Sequence, residues 1–242
     1  MQQSLLKSLS LAVGAAALVA ASPLILSTPP RPEADVKRDA DRKPLDMLNF
    51  AKVSDGQTVV DFLPGGGYFT RLFSAAVGPK GKVIAYVPDA LASRRPEVVT
   101  KLKAMAAETG HENVTVAVGP GSPLAADGTA DLIWTSENYH DLHNIPGDAA
   151  GAINKAAYAA LKHGGYYVVD DHVAEAGSGA RDTNTLHRID PAIVKTEVTA
   201  AGFAFDGETK VLVNPADTHT LNVFDPAIRG QTDQFVYRFR KP

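Results

Sequence analysis

The stretch "VVDFLPGGGYFTRLF", residues 59 to 73, decides how the chain is read. An apolar run ending in Asp61 gives way to Pro64 and three consecutive glycines, and then to a segment with apolar residues at helical spacing. A strand, a glycine turn and a helix in succession let the backbone approach a ligand, because residues without side chains leave the N–H groups of a helix N-terminus uncovered. The same glycines also serve as a tight strand-to-helix turn with no ligand at all. A dinucleotide fingerprint needs Gly-x-Gly-x-x-Gly, but Gly65 and Gly67 are followed by Thr70 at the third position, which weakens that reading.

Working outward, "QTVVDFL" (57–63), "GKVIAYV" (81–87), "NVTVAVG" (113–119), "ADLIWTS" (130–136) and "YYVVDD" (166–171) read as strands. Between them lie helices at 67–78 and 96–110 and an alanine-rich helix at 148–165 closed by a glycine pair. Upstream, "VKRDADRKPLDMLNFAKV" (36–53) reads as a helix or helix pair broken at Pro44. Downstream, Asp190 and Pro191 suit the N-cap and first position of a helix over 190–203. "KVLV" (210–213) and "TDQFVYRFR" (232–240) alternate as an antiparallel strand pair does, leaving a connection over 214–234 long enough for a lid or substrate wall. The expected fold class is therefore α/β, a mostly parallel sheet with helices on both faces. In such sheets ligands bind beyond the carboxyl ends of the strands. Those ends carry "PGGGY", "PDA", "GPGS", "ENYHDLH" and "DDHVAE", which gathers much of the His, Asp and Gly chemistry at one rim.

The 242 residues, 45% hydrophobic and 21% charged, suffice for one globular domain with a sizeable core. A formal charge of −3 provides no basic excess for phosphates, so no nucleic-acid partner is expected. Without cysteine there is no disulfide, thiolate metal site or cysteine nucleophile, and a metal would use His and carboxylate ligands. The N-terminus has one cation at Lys7, an apolar run from Leu9, and small residues near Ala21, which predicts a signal peptide over 1–21 and a periplasmic or secreted protein with no membrane contact after cleavage. "PLIL" after Pro23 prolongs the apolar stretch, so an uncleaved anchor to about residue 27 is the alternative. A linker is expected over 22–35 and the folded domain over 36–242.

The opening stretch resembles motif I of the class I S-adenosylmethionine-dependent methyltransferases, an apolar strand, an acid, then Gly-x-Gly-x-Gly. Aligned on Asp61, Leu63 stands for the first family glycine and Gly65 and Gly67 for the other two, with Pro64 and Gly66 at the variable sites. "LKHGGYYVVDD" and "AAGF" are similar to the family around its fifth strand and following helix. "RKP", "NYHDLH", "LHRID" and "FDPAIRG…DQFVYRFRKP" look like a group of exported bacterial proteins described as predicted methyltransferases. The resemblance implies a Rossmann-like, seven-stranded sheet with an antiparallel C-terminal pair. It also implies S-adenosyl-L-methionine as cofactor, held by Asp61, Pro64, Gly65, Gly66, Gly67 and Tyr68. The acid the family uses for the ribose is absent at Val87 and Pro88, leaving Asp89 as a displaced substitute.

Methyl transfer to an oxygen uses a base placed at the acceptor. The rim offers His140 or His172 as that base, Asp171 to orient a histidine, and Arg188 for an anionic small-molecule acceptor. Taken singly, each histidine also fits a hydrogen-bonded or surface residue. Carboxylates after the fourth and fifth strands resemble the arrangement of metal-dependent catechol-type O-methyltransferases, so Asp141, Asp170 and His172 are the alternative ligands of a divalent metal. Two rivals stand beside the methyltransferase reading: an exported binding protein that kept the fold and lost the donor, and a metal-assisted hydrolase or lyase on the same rim. The oligomeric state is open.

Overall fold

A computed structural model describes Leu26 and residues 29–242 of the chain, so the signal segment expected at 1–21 lies outside the described residues. Seven strands form one sheet in the order β3-β2-β1-β4-β5-β7-β6: β1 (Thr58–Phe62), β2 (Lys82–Pro88), β3 (Val114–Gly119), β4 (Ala130–Ser136), β5 (Leu161–His172), β6 (Ala204–Thr209) and β7 (Gln234–Arg240). The first five strands pair in parallel, and β7 runs antiparallel to both β5 and β6. This is the fold class expected from the sequence.

Strand alternation sends each apolar set to one of two cores. Val60, Ile133, Tyr167 and Val169 pack with Ala157, Val194 and Val198 of α7 (Ala149–Ala160) and α8 (Pro191–Ala200). On the opposite face Val59, Val83, Trp134 and Val168 pack with Leu48, Leu72, Phe73 and Leu102 of α3 (Pro44–Phe50), α4 (Tyr68–Val77) and α6 (Pro96–Ala106). Among the described residues, no helix is long and apolar enough to cross a membrane.

Three segments depart from expectation. The alanine-rich helix ends at Ala160 rather than at the glycine pair, and residues 161–165 already belong to β5. Leu161 pairs with Ala130 and Tyr166 with Leu132, so the four residues between them, Gly164 and Gly165 included, form an irregularity in the ladder; Gly164 takes φ +80. The partner of β7 is 204–209, not "KVLV", because Phe205 stacks edge-on against Tyr237 and Phe239 while 210–213 leaves the sheet. The N-terminal helix pair is three short helices, α1 (Glu33–Val36), α2 (Asp39–Arg42) and α3, with Lys43 at φ +45 separating the last two. Within the stretch read as linker, the Arg31 side chain is nearly fully buried and pairs with Asp39, and Asp35 pairs with Arg71 at 3.1 Å, so these residues are held against the fold.

Asp190 caps α8 as its sequence position suggests: one carboxylate oxygen accepts the N–H of Ala192 at 2.9 Å and the other that of Gly177 at 2.7 Å. Asp190→Ala removes both and is expected to destabilise the protein by about 1–2 kcal/mol, measured by urea denaturation.

Candidate functional site

The site begins at the carboxyl end of β1. Leu63 has φ +58, a left-handed conformation unusual for a branched side chain, and its carbonyl accepts from the Asn138 side chain at 3.1 Å. The turn then runs through Gly65 at φ +55 to Gly67 at φ +83, which opens α4. A Cβ at Gly67 would meet Leu102 and Met105 at 3.3 Å, whereas one at Gly65 or Gly66 would meet nothing within 4 Å. Only the last glycine is demanded by packing; the other two face open space. That space is a cavity of 660 Å³ whose wall includes Asp61, Leu63, Gly66, Tyr68, Trp134 and Asp141. Asp61 is buried and accepts the Thr70 hydroxyl at 2.6 Å; burial pushes its carboxyl up to about 7, against that hydrogen bond and the charge of Arg42.

A clasp of cations from the N-terminal segment, residues 31 to 42, closes on Tyr68. The guanidiniums of Arg31, Arg38 and Arg42 lie 5.7, 5.2 and 4.9 Å from its ring centre, and its hydroxyl donates to Asp39 at 2.7 Å. Arg42 also pairs with Glu137, which follows β4 with φ +58. Burial opposes the charge of Glu137, yet Arg42, His172 and Arg38 together hold its carboxyl below the usual range. Arg38, Arg42 and Glu137 line a second cavity as well, of 750 Å³, whose wall also includes His172, Leu212, Phe224 and Arg229. The two cavities thus share a charged partition.

Asp171, fully buried at the end of β5, organises the rim. It accepts the backbone N–H of His140 at 2.7 Å, His140 Nδ1 at 2.8 Å and the backbone N–H of His172 at 2.8 Å. Burial disfavours its charge, but the His140 imidazole and these donors hold its carboxyl below the usual range. Burial likewise opposes the charge on His140, and Asp171 overcomes it, raising the imidazole. His172 is instead lowered by burial, and its Nδ1 lies 2.8 Å from the Thr232 hydroxyl. The adjacent Asp170 points to the other face of the sheet, accepts Ser136 Oγ at 2.6 Å, leaves Oδ1 without a partner, and is pushed up to about 8 by burial and then by Glu137.

The sequence-predicted residues divide accordingly. Asp61, Pro64, Gly65, Gly66 and Tyr68 line the first cavity together, and Gly67 supports the turn from behind. Asp89 does not join them: it is exposed and its carboxylate caps Ala90 N–H of its own helix, α5 (Asp89–Arg94), at 2.7 Å. Arg188 does not face an acceptor either. It is wholly buried, donating to the carbonyls of Val173 and Leu221 at 2.9 Å each and pairing with Asp217 at 2.9 Å. Asp141, Asp170 and His172 do not converge as metal ligands. The group that does, among the described residues, is His140, Asp141 and His187. The sequence offers Arg42 in "RDADRKP", expected over the cofactor mouth, and Glu137 in "ENYHDLH" as separate rim candidates; nothing in it signals that the two pair, or that Arg94 and Arg95 stand at the cavity wall.

Compared by sequence, the chain matches no protein-family model and no curated protein. Compared by structure, it is similar to a SAM-dependent methyltransferase from Aquifex aeolicus, with a TM-score of 0.63 and 17% identity over 87% of this chain and 96% of that one. It is also similar to the [4+2]-cyclase SpnF, with a TM-score of 0.61 and 16% identity over 84% of this chain and 81% of that one. The YcgJ protein of Bacillus subtilis is a third such structure, with a TM-score of 0.57 and 16% identity over 83% and 99%. At these identities the likeness is one of fold, and the chain has the Rossmann-like fold of the class I methyltransferases.

Proposed function

We propose that the protein binds S-adenosylmethionine in the cavity walled by the glycine loop and methylates a small-molecule acceptor, at oxygen, held in the neighbouring cavity. The observation that carries this reading is the pair of open glycines, Gly65 and Gly66, on a cavity whose wall also includes Asp61 and Tyr68. The donor supplies an electrophilic methyl on a sulfonium. An acceptor oxygen would form the new bond to that carbon as the carbon–sulfur bond breaks and its electron pair returns to sulfur, while the acceptor's proton passes to a base. His172 suits that role by lying on the wall of the second cavity, with Thr232 fixing its ring. Arg42, Arg38 and Arg229 on the same walls suit an anionic acceptor in place of Arg188.

A specific pair of observations favours the second reading, a protein that kept the fold without the donor. Leu63 occupies the position of the first family glycine, and Asp89 turns onto its own helix. SpnF, a [4+2]-cyclase on this fold, illustrates that the scaffold serves other chemistry. Export belongs to the proposal too. A periplasmic or secreted protein cut after Ala21 is expected to begin at about Ser22, which N-terminal sequencing of the mature protein reads directly.

Calorimetric titration with S-adenosylmethionine and with its demethylated product is expected to give micromolar binding, and labelled donor with a panel of hydroxylated anions would then identify the acceptor. A Cβ at Gly66 meets no protein atom within 4 Å and the position needs no left-handed backbone, so Gly66→Leu, its side chain directed into the cavity, should change stability by less than about 0.5 kcal/mol. It should nevertheless weaken donor binding at least about tenfold; unchanged affinity, or no binding by the wild type with its circular dichroism intact, would overturn the donor site.

Asp61 gives a pH signature. Its folded-state value near 7 lies above the ordinary 3.8, so the folded protein retains a proton that the unfolded chain releases, and stability declines as pH rises from about 4 to about 7. Asp61→Asn, which preserves an acceptor for Thr70, is expected to melt at or above the wild-type temperature at pH 8, with the gap closing toward pH 4. Its donor affinity should fall at the same time.

A further inference from the structure

Beside the donor cavity, the three groups that converge come from separate parts of the chain: His140 and Asp141 from the turn after β4, and His187 from the loop after β5. We infer that His140 Nε2, His187 Nδ1 and an Asp141 carboxylate oxygen form a binding site for a divalent transition-metal ion, zinc or one of similar borderline character. The three atoms are 3.3, 3.5 and 3.9 Å apart. A triangle with these sides has a point about 2.1 Å from every corner, which is the bond length zinc makes to imidazole nitrogen and carboxylate oxygen.

Three further features fit a metal better than a plain contact between imidazoles. Asp171 engages His140 Nδ1 at 2.8 Å, the carboxylate–histidine pairing that fixes a ligating ring and leaves the Nε2 lone pair facing the ion. His187 is held at φ +55, a left-handed conformation that costs energy in a residue of this kind and aims its ring at His140. The burial is graded as an open metal site needs: His140 is 3% exposed, His187 31% and Asp141 51%, so the inner ligand is locked and the outer face is accessible. Two nitrogens and one oxygen form a donor set that suits zinc or another imidazole-binding cation rather than magnesium or calcium.

The ion would lie between the two cavities. Asp141 is on the wall of the first; Phe224, edge-on to His187 with ring centres 5.0 Å apart, and His172, with its ring 6.2 Å from that of His140, are on the wall of the second. Its remaining coordination positions take oxygen, from water or from a hydroxyl or carboxylate of a molecule in the cavity. The site stands apart from the methyltransferase reading, since ion binding by these three groups needs no donor.

The test is titration of untagged protein, stripped with a chelator, with Zn²⁺ and separately with Co²⁺. One equivalent of each ion is expected to bind, with the visible bands of a low-symmetry Co²⁺ complex. His187→Asn keeps a residue tolerant of the left-handed backbone, and Asp141→Asn changes a half-exposed side chain, so both variants should fold as judged by circular dichroism. Each should weaken Zn²⁺ binding by at least about 10–100-fold, the loss that even outer partners of metal ligands produce. No stoichiometric ion, or affinities unchanged in both variants, would overturn the site. Donor titrations on the same samples separate the two ideas, because loss of the ion with donor affinity retained, or the reverse, removes only one of them.

Discussion

The arrangement of the rim depends on one buried carboxylate. Asp171 sits at the end of β5 with no solvent contact and would not stay ionised there without the imidazole of His140 and two backbone N–H groups around it. Those bonds fasten the turn after β4 to the strand beside it and give both histidines a fixed place. Its neighbour Asp170 meets the opposite fate. Strand alternation turns it to the other face, where, among the described residues, Ser136 is the carboxyl's one hydrogen-bond partner, and burial with Glu137 nearby pushes it up to about 8. Two consecutive acids are therefore shifted in opposite directions because the pleat gives them different surroundings.

The sheet order explains why chemistry accumulates here. β1, β4 and β5 are adjacent, so the residues following them converge on one edge although they are distant in sequence. The N-terminal helices complete the edge from outside. Arg42 reaches Glu137 across it, and Tyr68 lies within reach of three guanidiniums, so the segment around the first described helices contributes the wall between the cavities.

Much of this was legible in the sequence. Apolar periodicity locates the first five strands, the glycine stretch locates the turn, and the strand-end rule gathers the His and Asp residues at one rim. What escaped depended on distant partners. Nothing near Arg188 signals that Asp217, in a remote loop, neutralises it in the interior; in isolation "LHRID" reads as an exposed cation. The irregularity over 161–165 looked like a helix end because a glycine pair suits both, and only the register with β4 distinguishes them. The strand at 204–209 carries little apolar alternation, being an edge strand with one packed face, while "KVLV" has the pattern yet forms no ladder, meeting the first residue of β7 through the Gln234 N–H to Leu212 carbonyl bond at 3.3 Å. Nothing local pairs His187, in "LHRID", with His140, since 47 residues separate them and only the fold closes that distance.

The interior position of Arg188 has a mechanical side. It follows His187 directly and clamps the carbonyls of Val173 and Leu221 along with the Asp217 carboxylate, so the long loop between β6 and β7 is bolted to the same short piece of backbone that carries the imidazole. Leu212, Phe224 and Arg229 of that loop wall the second cavity. The loop and the imidazole at 187 thus share an anchor: Arg188, with the bonds from Val223 N–H to the Leu186 carbonyl and from the Asn222 amide to the Thr185 carbonyl, ties the wall of the second cavity to the backbone on either side of His187.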